Sequence, residues 1–260
     1  MRIRFGWAGG WLFAPALVLA ASAHAMTADE LVAKNVAARG GMESLSAIKS
    51  LRLQGKLHIA NFGVDVEASQ TYKRPGEYRF EGTLQGMTMV QSYNGKEAWK
   101  IFPFQGRKDP ERTSADDAKE LAEQADFDGG WVNAAAKGNK IEYLGHDQVD
   151  GDDAFKLKVT LKNGDIFYYY LDPDTYIEIQ IEKQQLIRGS VRESVTMLGS
   201  YKPVNGVMYP FSIESGPKNN PDQRGKITVT KMEANAPVED SEFKMPAAPS
   251  APPAAKATPK

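Results

Sequence analysis

The sequence predicts a mainly β protein with some α structure (α+β), built on one strongly curved antiparallel sheet of about ten or eleven strands. Three observations predict it. Apolar and polar residues alternate along most of residues 51–102 and 140–232, the period of a half-buried strand. Asn94-Gly95, Asn163-Gly164 and Asn205-Gly206 supply the dipeptide of tight hairpins, so successive strands are neighbours. A single non-alternating stretch, residues 107–130, interrupts the series with helix-forming residues. Strands twist, so one sheet of that size curls and acquires a concave face. That face is either filled by side chains from a helix or open to a ligand.

The elements follow in order. Arg2 and Arg4 precede an apolar run at residues 11–21, and Ala23-His24-Ala25 fits a small-x-small cleavage site. Residues 1–25 are therefore expected to be a signal peptide, cleaved after Ala25. The run is shorter than the roughly 20 residues a membrane span needs. Residues 27–39 read as a helix, with Thr27 and Glu30 forming a capping box and Gly40-Gly41 stopping it. A second short helix is expected over residues 42–49.

Alternation starts at Leu51, Leu53, Leu57 and Ile59 and resumes at Val64, Val66, Ala68 and Tyr72. Tyr78 and Phe80 follow, then Met87, Met89 and Tyr93, then Trp99, Ile101 and Phe102. Ser114 and Asp117 cap a helix expected over residues 115–127, whose apolar side is Ala118, Leu121, Ala122 and Ala125. Another short helix is expected over residues 131–136. Strands return from Lys140, and one of them is expected to run over residues 207–213. The domain ends at Pro246. Residues 247–260 are Pro/Ala-rich and read as a disordered tail.

Composition narrows the function. The formal charge of −1 becomes −3 once Arg2 and Arg4 are removed, so no basic excess draws nucleic acid. The chain has no cysteine, hence no disulfides, no thiol nucleophile and no lipidation cysteine. A secreted chain held by its core alone fits the bacterial periplasm and a soluble, monomeric protein that is not lipid-anchored. His58 and His146 lie outside any metal-ligand spacing, and no G-x-S-x-G elbow occurs. The acid pairs Asp116-Asp117 and Asp152-Asp153 and the Asp172/Asp174 turn sit where carboxylates cap backbone donors. No catalytic residue, metal or cofactor is expected.

Aromatic and methionine residues are the candidate functional set. Tyr72, Tyr78, Phe80, Met87, Met89, Trp99, Phe102 and Trp131 fall on strands or beside the helical stretch, with Leu121 on the helix. They serve either as an ordinary core or as the wall of a pocket for a long apolar ligand, which methionine suits through its flexible thioether. Arg74 precedes Pro75, a residue that favours a strand end or edge. An arginine there is either a solvated edge residue or, if turned inward, a five-donor latch for carbonyls at a helix end.

Residues 72–103 carry a resemblance. Lys73-Arg74-Pro75 with Tyr78 and Phe80 after it, Asn94-Gly95-Lys96 with Trp99 and Pro103 after it, the helical insertion, and the closing V-E-D-S-E-F-K-M-P of residues 238–246 together resemble the LolA/LolB-like outer-membrane lipoprotein-sorting proteins. The resemblance implies an incomplete antiparallel β-barrel with helices across its concave face. It implies a periplasmic carrier of lipoprotein acyl chains or other lipids, with Arg74 holding the helical lid and Tyr78 and Phe80 lining the cavity. An inner-membrane transporter and an outer-membrane receptor are the implied partners. The longer insertion and the tail leave open a second role, a lipid- or lipoprotein-sensing regulatory module with a membrane partner.

Overall fold

The computed structural model describes residues 26–247. The expected signal peptide, and the tail beyond residue 247, lie outside the described residues. Helices α1 (Ala28–Ala38) and α2 (Gly41–Ala47) lead into a ladder of hairpins. Its strands are β1 (Ser50–Ile59), β2 (Val64–Lys73), β3 (Glu77–Leu84), β4 (Met87–Tyr93), β5 (Ala98–Phe102) and β6 (Arg107–Arg112). Helices α3 (Ala115–Gln124) and α4 (Ala134–Lys137) follow. A second ladder then runs through β7 (Lys140–Val149), β8 (Asp152–Thr160), β9 (Ile166–Leu171), β10 (Glu178–Ile187) and β11 (Ser190–Gly199). A small hairpin, β12 (Lys202–Val204) and β13 (Val207–Tyr209), precedes β14 (Ser212–Pro217) and β15 (Gly225–Ala234).

All but β12 and β13 join one 13-stranded sheet, ordered β6-β5-β4-β3-β2-β1-β15-β14-β11-β10-β9-β8-β7. The two ladders meet where β1 pairs antiparallel with β15, from Leu51 opposite Ala234 to Ile59 opposite Gly225. The outer strands β6 and β7 do not pair, so the curved sheet is an incomplete barrel, as expected. It has more strands than the ten or eleven expected. Residues 107–112, Arg-Lys-Asp-Pro-Glu-Arg, carry no apolar alternation yet form the edge strand β6, where charge and proline are tolerated. The strand expected over residues 207–213 is split at Pro210 into β13 and β14.

Local chemistry sets the helix ends. Thr27 Oγ1 accepts from the Glu30 amide at 3.2 Å, and the Glu30 carboxylate accepts from the Thr27 amide at 2.7 Å, the reciprocal capping box. Gly40 has φ +114°, and a Cβ there would lie 2.0 Å from the Gly206 carbonyl oxygen, so only glycine fits this close approach. Ser114 caps α3 by accepting from the Asp117 amide at 3.1 Å. That helix stops at Gln124, three residues before the expected end, and the next short helix starts at Ala134 rather than at residue 131.

The concave face carries the core. Leu31, Val36, Leu45 and Ile48 from α1, α2 and the following residue pack on Leu51 and Leu53 of β1 and on Phe155, Leu157 and Val159 of β8. Each side chain fully withdrawn from water there contributes about 1.5–3 kcal/mol. α3 sets Leu121 and Ala125 on Ala68, Tyr78, Phe80 and Ala98. The opposite, convex face is crossed by a C-terminal 3-10 turn (Asp240–Phe243). Phe243 is fully buried, and its carbonyl accepts from Trp99 Nε1 at 2.7 Å and from Ser92 Oγ at 3.2 Å.

Candidate functional site

Between the middle of the concave face and the segment of residues 124–131 lies a cavity of about 240 Å³. Its floor crosses the seam between the ladders: Leu51 and Leu53 of β1, Tyr72 of β2, Met232 of β15, Ile213 of β14, Leu198 of β11, Ile181 of β10 and Tyr169 of β9. The roof is Gln124, residues 126–129 and Trp131. Gly130 lets the roof approach the sheet, because a Cβ there would lie 2.7 Å from a Leu161 methyl. Its amide donates to Tyr169 Oη at 3.3 Å, and Trp131 stacks on the Tyr169 ring at 4.8 Å and 15°.

One end of the cavity is polar. Arg39 pairs with Glu178 at 3.3 Å, both side chains 8% exposed, and Asn35 Nδ2 donates to the same carboxylate at 2.9 Å. Tyr209 stands at this end too; burial pushes its phenol up to about 12, so it stays protonated.

Arg74 holds the roof from the side. Its Nε donates to the Ile48 carbonyl at 2.8 Å and its Nη2 to the Leu45 carbonyl at 3.1 Å. Both carbonyls lie at the end of α2, where helix acceptors run short of intrahelical donors; the Leu45 carbonyl also accepts from the Ile48 amide at 3.3 Å. Nη1 and Nη2 grip the Asp128 carboxylate at 2.5 and 2.7 Å, and the guanidinium lies 4.6 Å from the Phe127 ring centre. A bidentate, charge-assisted pair of this kind is among the stronger hydrogen-bonded contacts a surface offers. One side chain thus ties together the end of β2, the end of α2 and the roof segment.

The sequence-chosen residues separate into groups. Tyr72 and Trp131 line the cavity, and Arg74 bonds its roof. Tyr78, Phe80, Met89 and Leu121 form the adjoining cluster under α3, joined to the cavity through Tyr72, whose ring lies 5.0 Å from that of Tyr78. Met87 is 37% exposed at a hairpin end, and Phe102 packs edge-on against Phe104 at 5.5 Å. Neither reaches the cavity. Trp99 is on the other side of the sheet: it and its register neighbour Ser92 both donate to the Phe243 carbonyl, away from α3. Asp128, Arg39 and Glu178 were not anticipated. The Asp126-Phe127-Asp128-Gly129-Gly130 run was the one available signal for the first of them.

His58 Nδ1 lies 2.7 Å from Asp65, and His146 Nδ1 lies 2.7 Å from Asp153. These exposed pairs bridge two different hairpins and do not share a cleft. Among the described residues, no group of three or more His, Asp or Glu could hold a metal ion, and no helix is long and apolar enough to cross a membrane.

No family model matches the chain, and no curated protein does. Solved structures match it over most of its length. A LolA superfamily protein of Nitrosomonas europaea superposes with a TM-score of 0.57, covering 85% of this chain and 98% of its own, at 12% identity. This is a LolA-like fold. A DUF1329 family protein of Desulfovibrio piger shares it with a TM-score of 0.56, covering 82% and 96% at 12% identity. So does a domain from Vibrio parahaemolyticus named for outer membrane lipoprotein sorting, with a TM-score of 0.53, covering 82% and 94% at 10% identity. In this LolA-like fold the cavity sits at the centre of the curve, where the two ladders meet.

Proposed function

We propose that the protein is a periplasmic carrier that shelters the acyl chains of lipoproteins or other lipids and delivers them toward the outer membrane, catalysing no reaction. The observation that carries this reading is a largely apolar cavity whose roof is fastened to the end of α2 through Arg74. Exposing a C16 chain to water costs about 0.8 kcal/mol per CH₂, on the order of 12 kcal/mol. Transfer through an aqueous compartment therefore needs a sheath that also opens. The cavity, at about 240 Å³, is smaller than the roughly 300–1,000 Å³ of ordinary ligand pockets. A long chain enters only if the roof lifts, and the Arg74 contact to Asp128 is a reversible fastening for it. The names of the superposed structures, LolA and lipoprotein sorting, agree with this use of the fold.

Mass spectrometry of an organic-solvent extract of protein purified from the periplasm tests the reading. Acyl lipid in near-stoichiometric amount is expected. Protein that carries none, and that fails to take up a fluorescent fatty acid, overturns it.

A further inference from the structure

The concave floor changes character along its own strands. On β11, Leu198 gives way on the same face to Thr196 and Ser194; on β14, Ile213 gives way to Ser215; on β10, Ile181 gives way to Lys183 and Gln185. Register lines these up in rows, with Leu198 opposite Ile213, then Thr196 opposite Ser215, then Ser194 opposite Lys183. The hydroxyls of Thr196 and Ser215 are hydrogen-bonded at 2.8 Å. The apolar row floors the cavity. Ser194, Ser215 and Lys183 floor a second hollow of about 520 Å³, and Gln124 of α3 borders both spaces.

This hollow holds charges of both signs that the protein leaves unpaired. The Lys183 ammonium lies 4.9 Å from the Phe167 ring centre and, among the described residues, makes no hydrogen bond or ion pair. Arg192 at the rim and Glu120 on α3 make none either. Burial lowers the pKa of Lys183 against the pull of Glu123, Glu120 and Asp165, so an incoming anion would stabilise its charge. The Glu120 carboxylate on α3 repels a simple anion from the same hollow. A group bearing both charges uses both sets.

We propose that the hollow takes the head of a zwitterionic phospholipid, its phosphate on Lys183 and Arg192 and its amine on Glu120, while the acyl chains occupy the adjoining cavity. The inference rests on the carrier reading and names its cargo class. The unbroken concave surface, apolar and then polar within two residues of each strand, has the polarity profile of such an amphiphile.

The test uses the full chain loaded with a fluorescent fatty acid, displaced by dioleoyl phosphatidylethanolamine, dioleoyl phosphatidylglycerol or diolein. The zwitterionic lipid is expected to displace the probe at about tenfold lower concentration than the other two, the worth of one charge-assisted hydrogen bond. Lys183→Met, which keeps the stem over Phe167, and Glu120→Gln should each close most of that gap. Circular dichroism reports whether each variant folds, and Arg192→Gln, at an exposed site, replaces Lys183→Met if the latter does not. Equal displacement by all three lipids overturns the headgroup site and leaves the carrier reading standing. So does preference for the phosphatidylglycerol, or stronger displacement by a triacylated lipopeptide. Failure of every acyl ligand to bind overturns both.

Discussion

Two helical covers lie on the concave face, and they are fastened differently. α1 and α2 withdraw Leu31 and Ile48 wholly from water and Leu45 nearly so, and α1 is riveted to the start of β10 by the buried pair of Arg39 and Glu178. α3 buries only Leu121 and Ala125. Its other ties are polar and partly wet: Lys119 to Asp165 at 2.7 Å, Asp117 to Lys100 at 3.7 Å, and Glu123 to Gln185 at 2.5 Å. Water replaces such contacts at small net cost, whereas it cannot replace buried leucine. The first cover is core; the second is a lid. Arg74 stands where they meet, with α2 carbonyls on one side and Asp128 on the other.

The contrast is most exposed to attack at Arg39. Arg39→Met strands the Glu178 charge in the interior and should cost about 3–5 kcal/mol in urea denaturation. A loss below about 1 kcal/mol would mean that the first cover is no firmer than the second. Leu121→Ala should cost about 2–3 kcal/mol, but locally. Amide exchange is expected to accelerate across α3 while β1 and β15 stay protected. A matching drop in the global unfolding midpoint would make α3 part of the core after all.

Arg74→Leu comes next. It should leave the fold intact and speed fatty-acid uptake and release roughly tenfold in stopped-flow, the equivalent of about 1.4 kcal/mol. Unchanged rates would reduce Arg74 to an edge residue.

The smallest expected effect is with pH. Burial, and a hydrogen bond shared with Asp165, push Glu123 up to about 7. Burial would also raise Asp165, but hydrogen bonds from Glu123 and Lys119 outweigh it and hold that group low. Lys183 on β10 and Asn163 also face the site. Docked α3 keeps the Glu123 proton between the ordinary carboxylate value of 4.5 and about 7, where undocked α3 has lost it. Docking therefore weakens as pH rises through that window and levels off above it. Exchange of α3 amides, corrected for intrinsic rate, should be a few-fold faster at pH 8 than at pH 5.5, and Glu123→Gln should abolish the difference.

Much of this was legible in the chain because it is written locally. The Thr27 and Glu30 box, the Ser114 cap, the alternation from Leu51 onward and the Asn-Gly turns each need only a few consecutive residues, and the structure has them all. β6 was hidden because an edge strand has a single partner and no buried face to demand alternation. Trp99 stands among the candidates for a pocket wall because period two separates two faces without saying which is concave. Ala98, its neighbour, belongs to the cluster beneath α3. The partners of Arg74, and the pairing of Arg39 with Glu178, join residues too far apart in sequence to leave a local mark. The arginine itself could be picked out, while the aspartate it grips could not.

Leu51 and Ala234 are neighbours across β1 and β15, although most of the chain lies between them. Each ladder can zip hairpin by hairpin from local contacts, but this seam closes a loop that spans both, the slowest kind of contact to form. A chain made from its N-terminus holds two separate half-sheets until β15 arrives. The floor of the cavity draws on both halves, and the Phe243 turn then clamps the back of the first. The container closes only when β15 joins the two halves, so it cannot be filled before that strand is made.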